Sequence, residues 1–152
     1  MLVALPCWAL ITRRWGPALA LRVLAVSWLL TALFFTALMI DLAPQLQSAD
    51  FPQGRFVWSL IAAWVAGQSV VIGIYQLTRG GTWWRAPFVA VICGAGSQAL
   101  IYFPLAYAGV NYPWTSWMGT QALLGVVVAA LFLAVYRPLR QLIQPHGGLG
   151  GR

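Results

Sequence analysis

Four apolar runs dominate the chain: Leu19–Ile40, Phe56–Leu77, Phe88–Gly109 and Thr115–Tyr136, each of about 22 residues. At 1.5 Å per residue such a run is about 33 Å long, enough to cross a hydrocarbon core of about 30 Å. The one charge within them is Arg22, a turn from the start of the first run, where its guanidinium can reach the headgroups. Backbone polar groups in lipid must be satisfied inside the segment or in a closed barrel, and the polar alternation of a barrel strand is missing, so each run is expected to be a helix. Only 7% of the residues are charged, against about 25% in a soluble domain. The expectation is an all-α membrane protein: a single integral membrane domain over 1–152, built as a four-helix transmembrane bundle with short loops and antiparallel neighbours.

The net charge of +7 comes from arginine alone, without a lysine. Arg13, Arg14 and Arg22 lie at or before the start of the first run, Arg79 and Arg85 between the second and third, and Arg137, Arg140 and Arg152 after the fourth. All of these share one side of the bundle; Arg55 and both acids, Asp41 and Asp50, share the other. The positive-inside rule then predicts cytoplasmic N and C termini, in what reads as a bacterial cytoplasmic (inner) membrane. Aromatic residues fit two interfacial belts, Trp15, Trp83, Trp84 and Tyr136 on the arginine side and Trp58, Tyr107, Tyr112, Trp114 and Trp117 opposite. Trp28 and Trp64 lie deeper and are expected to pack against other helices or lipid. The arginines cap apolar runs rather than forming a solvated basic stripe, which argues for anionic lipid headgroups on the cytoplasmic side and against nucleic acid.

The opening stretch MLVALPCWALITRRWGP carries its positive charges after its apolar residues and lacks a small-residue cleavage site, unlike a secretory signal. Its apolar part is too short to span. It is expected to form an interfacial or re-entrant segment ending near Gly16-Pro17. The glycine-rich end, 144–152, is expected to be flexible.

Polar residues interrupt the apolar runs at particular depths. Ala66-Gly67-Gln68-Ser69 in the second run and Ala95-Gly96-Ser97-Gln98 in the third are similar knots near the bilayer centre. Gly119-Thr120-Gln121 is a third, nearer the outside, and Thr31 lies at middle depth on the first. An unpaired amide in hydrocarbon costs several kcal/mol (about 4–8 in the least polar reference), so these side chains must face protein, water or ligand. The candidate polar cluster is therefore Thr31, Gln68, Ser69, Ser97, Gln98 and Gln121, serving either helix packing or a polar site. Neighbouring small residues supply close approach: Ala63-x-x-x-Gly67, Ser69-x-x-x-Gly73, Ala90-x-x-x-Gly94 and Ala95-x-x-x-Ala99. The likeness of AGQS to AGSQ in oppositely directed runs hints at an inverted repeat.

Pro104 in the third run is expected to kink its helix or serve as a hinge. The loop RGGTWWRAP, with Arg79, Trp83, Trp84 and Arg85, and the basic stop at Arg137 and Arg140 are candidate contacts for lipid headgroups or a partner. Asp41 and Asp50 sit near Arg55 at the outer face and suit solvated charges or an Asp–Arg pair. Cys7 and Cys93 are not spaced as a redox pair, and the lone His146 lies in the glycine-rich tail. No catalytic constellation, metal-ligand set or cofactor motif is expected. The residues thus suggest a non-enzymatic accessory or structural subunit of a membrane complex, bound to other membrane subunits or to itself. The competing reading is a small oligomeric transporter or channel that uses the mid-membrane amides.

Overall fold

The computed structural model describes residues 2–42, 54–109 and 111–145. It contains five helices: α1 (Ala4–Trp15), α2 (Pro17–Leu42), α3 (Gly54–Thr78), α4 (Arg85–Tyr107) and α5 (Trp114–Leu142). Helices α2 to α5 are each long and apolar enough to cross a membrane. They match the four expected spans, with α2, α3 and α4 starting about half a turn to nearly a turn earlier, and the protein is an all-α, four-helix membrane bundle. Asp50, His146, Arg152 and the side chain of Asp41 lie outside the described residues, as does most of the expected flexible tail.

The fifth helix changes the picture of the N-terminal segment. Twelve residues make α1 about 18 Å long, too short to span. Five of its six buried positions, Leu5, Trp8, Ala9, Thr12 and Arg13, follow the i, i+3, i+4, i+7, i+8 pattern of one helix face, with Pro6 beside them. Leu5 lies beside Gly94 of α4, and Arg13 reaches the end of α5. The helix packs one face against the bundle and leaves Ala4, Cys7, Arg14 and Trp15 exposed on the other, as a half-span laid along it would. Gly16, at φ 82°, ends it in a conformation that favours glycine, and Pro17 starts α2 where a missing N–H costs nothing.

Helices α3, α4 and α5 pack side by side, with α1 against α3 and α4. The most extensive contact is between α3 and α4. Ala63, Gly67, Ala90, Gly94, Ala95 and Ala99 are all buried, so three of the four small-residue pairs lie in the interfaces. The fourth does not: Gly73 is exposed, with open space around it. A methyl group on Gly94 would collide with Val71 and come 2.9 Å from the carbonyl oxygen of Gly67. On the other face of α4, Ala95 fills the space left by Gly125 of α5.

Among its described residues, helix α2 is attached through its first half. Ala20, Leu24 and half-buried Trp28, spaced by four, make its contact stripe. Residues 29–34 are exposed on every side, more than a full turn without protein cover.

Two expectations need correction at the arginine-rich end. Arg137-Pro138-Leu139-Arg140 does not stop the last helix; α5 runs on to Leu142, with Pro138 inside it. The Arg140 carbonyl in its last turn and the Ile143 carbonyl just beyond it accept from Arg13 of α1. Tyr136 is not an interfacial anchor either. It is 1% exposed, because its hydroxyl is taken up by Arg13 and Tyr75.

Candidate functional site

The mid-membrane polar residues do not form one cluster. Thr31 sits on the exposed face of α2, its hydroxyl donating to the Ser27 carbonyl at 2.8 Å. Ser69 and Ser97 likewise donate to carbonyls four residues back, Val65 and Cys93, both at 2.8 Å. Hydroxyls closed on their own helix need no partner helix and offer little to a solute. Gln121, half-buried, lies apart from the others. It lines an open, largely apolar groove of about 630 Å³ with Leu2, Phe103, Trp117 and Leu124.

The two glutamines go to different contacts, Gln68 to α2 and Gln98 to the α3·α4 seam. Gln68 accepts a hydrogen bond from the Trp28 indole at 2.9 Å, which ties α2 to α3. Trp28 also meets Trp64 edge-on, ring centroids 5.9 Å apart. The deep tryptophans therefore belong to the packing of α2, and Trp28 was the missing partner of the glutamine knot. An interhelical bond of this kind contributes on the order of 0.6 kcal/mol. Gln98 is 1% exposed and lies flat over Gly67, whose missing side chain makes its room. Its Oε1 has no hydrogen-bond partner, and neither has the buried Nε1 of Trp64. The knots thus meet one way only: Gly67 of the first faces Gln98 of the second, while a methyl on Gly96 would meet nothing within 4 Å and Gln68 turns to α2. Pro104 stands in the last turn of α4, where its carbonyl accepts the Ala108 N–H at 3.0 Å.

A second site lies where α1, α3, α4 and α5 meet at the arginine-rich end. Arg13 is 8% exposed, and its guanidinium is spread over three acceptors. Nε donates to the Ile143 carbonyl at 3.0 Å, Nη2 to the Arg140 carbonyl at 3.3 Å, and Nη1 to the Tyr136 hydroxyl at 3.2 Å. The last carbonyls of a helix lack intrahelical donors and carry the negative end of its dipole. Arg13 supplies both needs, clamping α1 to α5. The Tyr136 and Tyr75 hydroxyls, 3.0 Å apart, carry the network on to α3.

Beside this clamp is a small pocket lined by Arg13, Tyr75, Arg79, Trp83, Tyr136 and Arg140, with Gly80 to Thr82 forming the rim. The Arg140 guanidinium lies 5.7 Å over the Trp83 ring, and Arg79 donates to Gln76 at 3.4 Å. Of the residues expected to contact headgroups, Arg79, Trp83 and Arg140 are gathered here, whereas exposed Trp84, Arg85 and Arg137 do not line it. Arg13, Tyr75 and Tyr136 were not foreseen. Helix phase was the available signal for Arg13, eight residues on from Leu5 and on the same face.

The opposite end carries a similar clamp. Arg55, at the start of α3, donates to the Leu105 and Ala108 carbonyls at 2.6 and 2.7 Å, closing the end of α4. Its charge serves that helix terminus, beyond any pairing with the outer aspartates. Tyr107, Tyr112 and Trp117 stack and meet edge-on beside it.

No family model matches the chain, and no curated protein or solved structure matches it. The fold and the residues within it therefore carry the functional reading. They define a small four-span helical membrane protein with a short helix clamped against its bundle.

Proposed function

We propose that this protein is a non-enzymatic accessory or structural subunit of a membrane complex. The observation that carries the reading is α2, which packs over its first half and leaves residues 29–34 uncovered on all sides. Leu29, Leu30, Leu33 and Phe34 are about 60% exposed or more. A helix so placed suits insertion between neighbouring subunits, or against a second copy of this chain. The serine and threonine hydroxyls closed on their own helices support the same reading, since they leave little for a solute to bind. Extraction into native-lipid particles should recover the chain with a fixed partner set. Leu29→Ala/Leu33→Ala, which stays apolar, should release that set. Recovery of the isolated monomer under several mild conditions would count against the reading.

The competing reading, an oligomeric transporter or channel, is favoured by one observation: the unpartnered Gln98 oxygen at the α3·α4 seam. A solute or water file would supply the missing donor.

The arginine distribution supports a bacterial inner-membrane protein with both termini in the cytoplasm. A cysteine at Asn111 should then react with an impermeant thiol reagent in intact cells. One at Gly81 should react only after the membrane is opened. Labelling of Gly81→Cys in sealed cells would reverse the orientation.

A further inference from the structure

We infer that the groove between the start of α1, α4 and α5 holds one acyl chain of a glycerolipid from the leaflet at the Arg55 end, with the lipid's ester carbonyl accepting a hydrogen bond from the Gln121 amide. The inference is independent of whether the chain is an accessory subunit.

Depth is the first argument. Arg13 fixes the last turn of α1 beside the Arg140 carbonyl, at the arginine-rich end of α5. Leu2 and Val3, at the start of α1, lie about 15 Å nearer the opposite end. There they share the groove with Val128, about 18 Å along α5 from Arg140. The short helix therefore fills this face of the bundle through one leaflet and ends, and the groove is the space left over the other. From Val128 to Trp117, at its far end, α5 rises about 16 Å. Half of a hydrocarbon core is about 15 Å thick. An acyl chain that enters at the interface and stops at the midplane has that length. A spanning helix of a second copy does not fit, because Leu2 and Val3 block its path at mid-depth.

Chemistry is the second. Phe103, Leu124 and Val128 give the groove apolar walls, and its volume of about 630 Å³ lies in the range of small-molecule sites, about 300–1,000 Å³. Leu124 and Trp117 are exposed, so the groove opens sideways to the bilayer as well as up to the interface. Two polar residues stand in its wall. The Thr120 hydroxyl is closed on the Ser116 carbonyl at 3.0 Å. Gln121 makes no hydrogen bond among the described residues, and its amide carries two donor hydrogens whose desolvation is costly without an acceptor. It lies one turn deeper than Trp117, whose ring belongs to the interfacial belt. A glycerolipid carries its ester carbonyls at that level, just below the headgroup, and a carbonyl is the acceptor that the free amide requires. The groove's mouth is held in shape by stacking, Trp117 on Tyr112 at 6.0 Å and Phe103 on Tyr107 at 6.1 Å.

The test uses the purified full chain in neutral detergent. Native mass spectrometry would compare two phosphatidylcholines of equal chain length, one a diester and one a diether that lacks both carbonyls. The wild type should retain one diester lipid at least fivefold more strongly than the diether. Gln121→Leu should lower retention of the diester to that of the diether. Leu124→Trp, which fills the groove, should abolish retention of both. Leu131→Trp, at an exposed position of α5 outside the groove, should leave both within twofold of the wild type. The ester–ether comparison is made on the wild type, so it decides the matter even if a variant fails to fold. Equal retention of the two lipids by the wild type, no retained lipid, or diester retention unchanged in Leu124→Trp would overturn the proposal. A protein dimer without bound lipid, lost in Leu124→Trp, would also overturn it and assign the groove to a second copy.

Discussion

Gly94→Leu is expected to destabilise the bundle by about 3 kcal/mol or more, at the upper end of the cost of overpacking a close-packed interior. Even the first added carbon meets the Gly67 carbonyl oxygen at 2.9 Å as well as Val71. Backbone cannot swing aside as a side chain can, so α3 and α4 must separate. In lipid that separation forfeits much of what holds the helices together, because association there rests on packing and interhelical bonds rather than on expulsion of water. Leu5 of α1 lies against the same position, so the half-span should loosen as well. Gly73→Leu is the matched control: that glycine is exposed with nothing within 4 Å. Its change should stay within about 0.5 kcal/mol, as for other surface substitutions. Unfolding in mixed detergent micelles would measure both. Equal stability of the two variants would contradict the assigned seam.

Arg13→Met should cost about 3 kcal/mol, since it removes three bonds to a charged donor and leaves the part-buried Arg140 and Ile143 carbonyls without that donor. Arg13→Lys should recover only part of that, because one ammonium cannot reproduce the fork that spans the Arg140 and Ile143 carbonyls. Arg14→Met, at the exposed neighbour, should be nearly silent. A second readout separates release of α1 from general loosening. Leu5→Cys, in a Cys7→Ser/Cys93→Ser background, should resist maleimide while Arg13 is present, because Leu5 is fully buried. It should react readily once Arg13 is replaced. Protection that survives Arg13→Met would mean that apolar contacts alone hold the half-span.

The contrast between Arg13 and Arg14 illustrates what the sequence could and could not convey. The four spans were legible because length and apolarity are properties of a segment by itself. Depth was legible too, since counting residues along a span places Thr31, Gln68 and Gln98 near the middle. Direction around the helix axis was not, because it depends on which neighbour packs where. Thr31 faces outward and Gln68 inward, at comparable depth. Small-residue spacing pointed to the α3·α4 seam, yet it could not distinguish buried Gly67 from exposed Gly73. Arginine counting predicts a sidedness for the chain but gives no sign that Arg13 and Arg55 close the ends of α5 and α4. A charge count sees topology; the carbonyls that use the charge come from a helix distant in sequence.

Gln98 offers the most direct test of the claim that the polar residues within the membrane pack helices rather than carry solutes. The wild type and Gln98→Met would be reconstituted at equal density in sealed liposomes, and release of potassium, chloride and protons measured under an imposed gradient. Gln98→Met keeps the side chain's length and removes an acceptor that has no donor, so it should fold as stably as the wild type or slightly more so. The structural reading predicts leak rates for both proteins equal to those of protein-free liposomes. Flux through the wild type that Gln98→Met abolishes without unfolding the protein would contradict it and establish the α3·α4 seam as a conducting path.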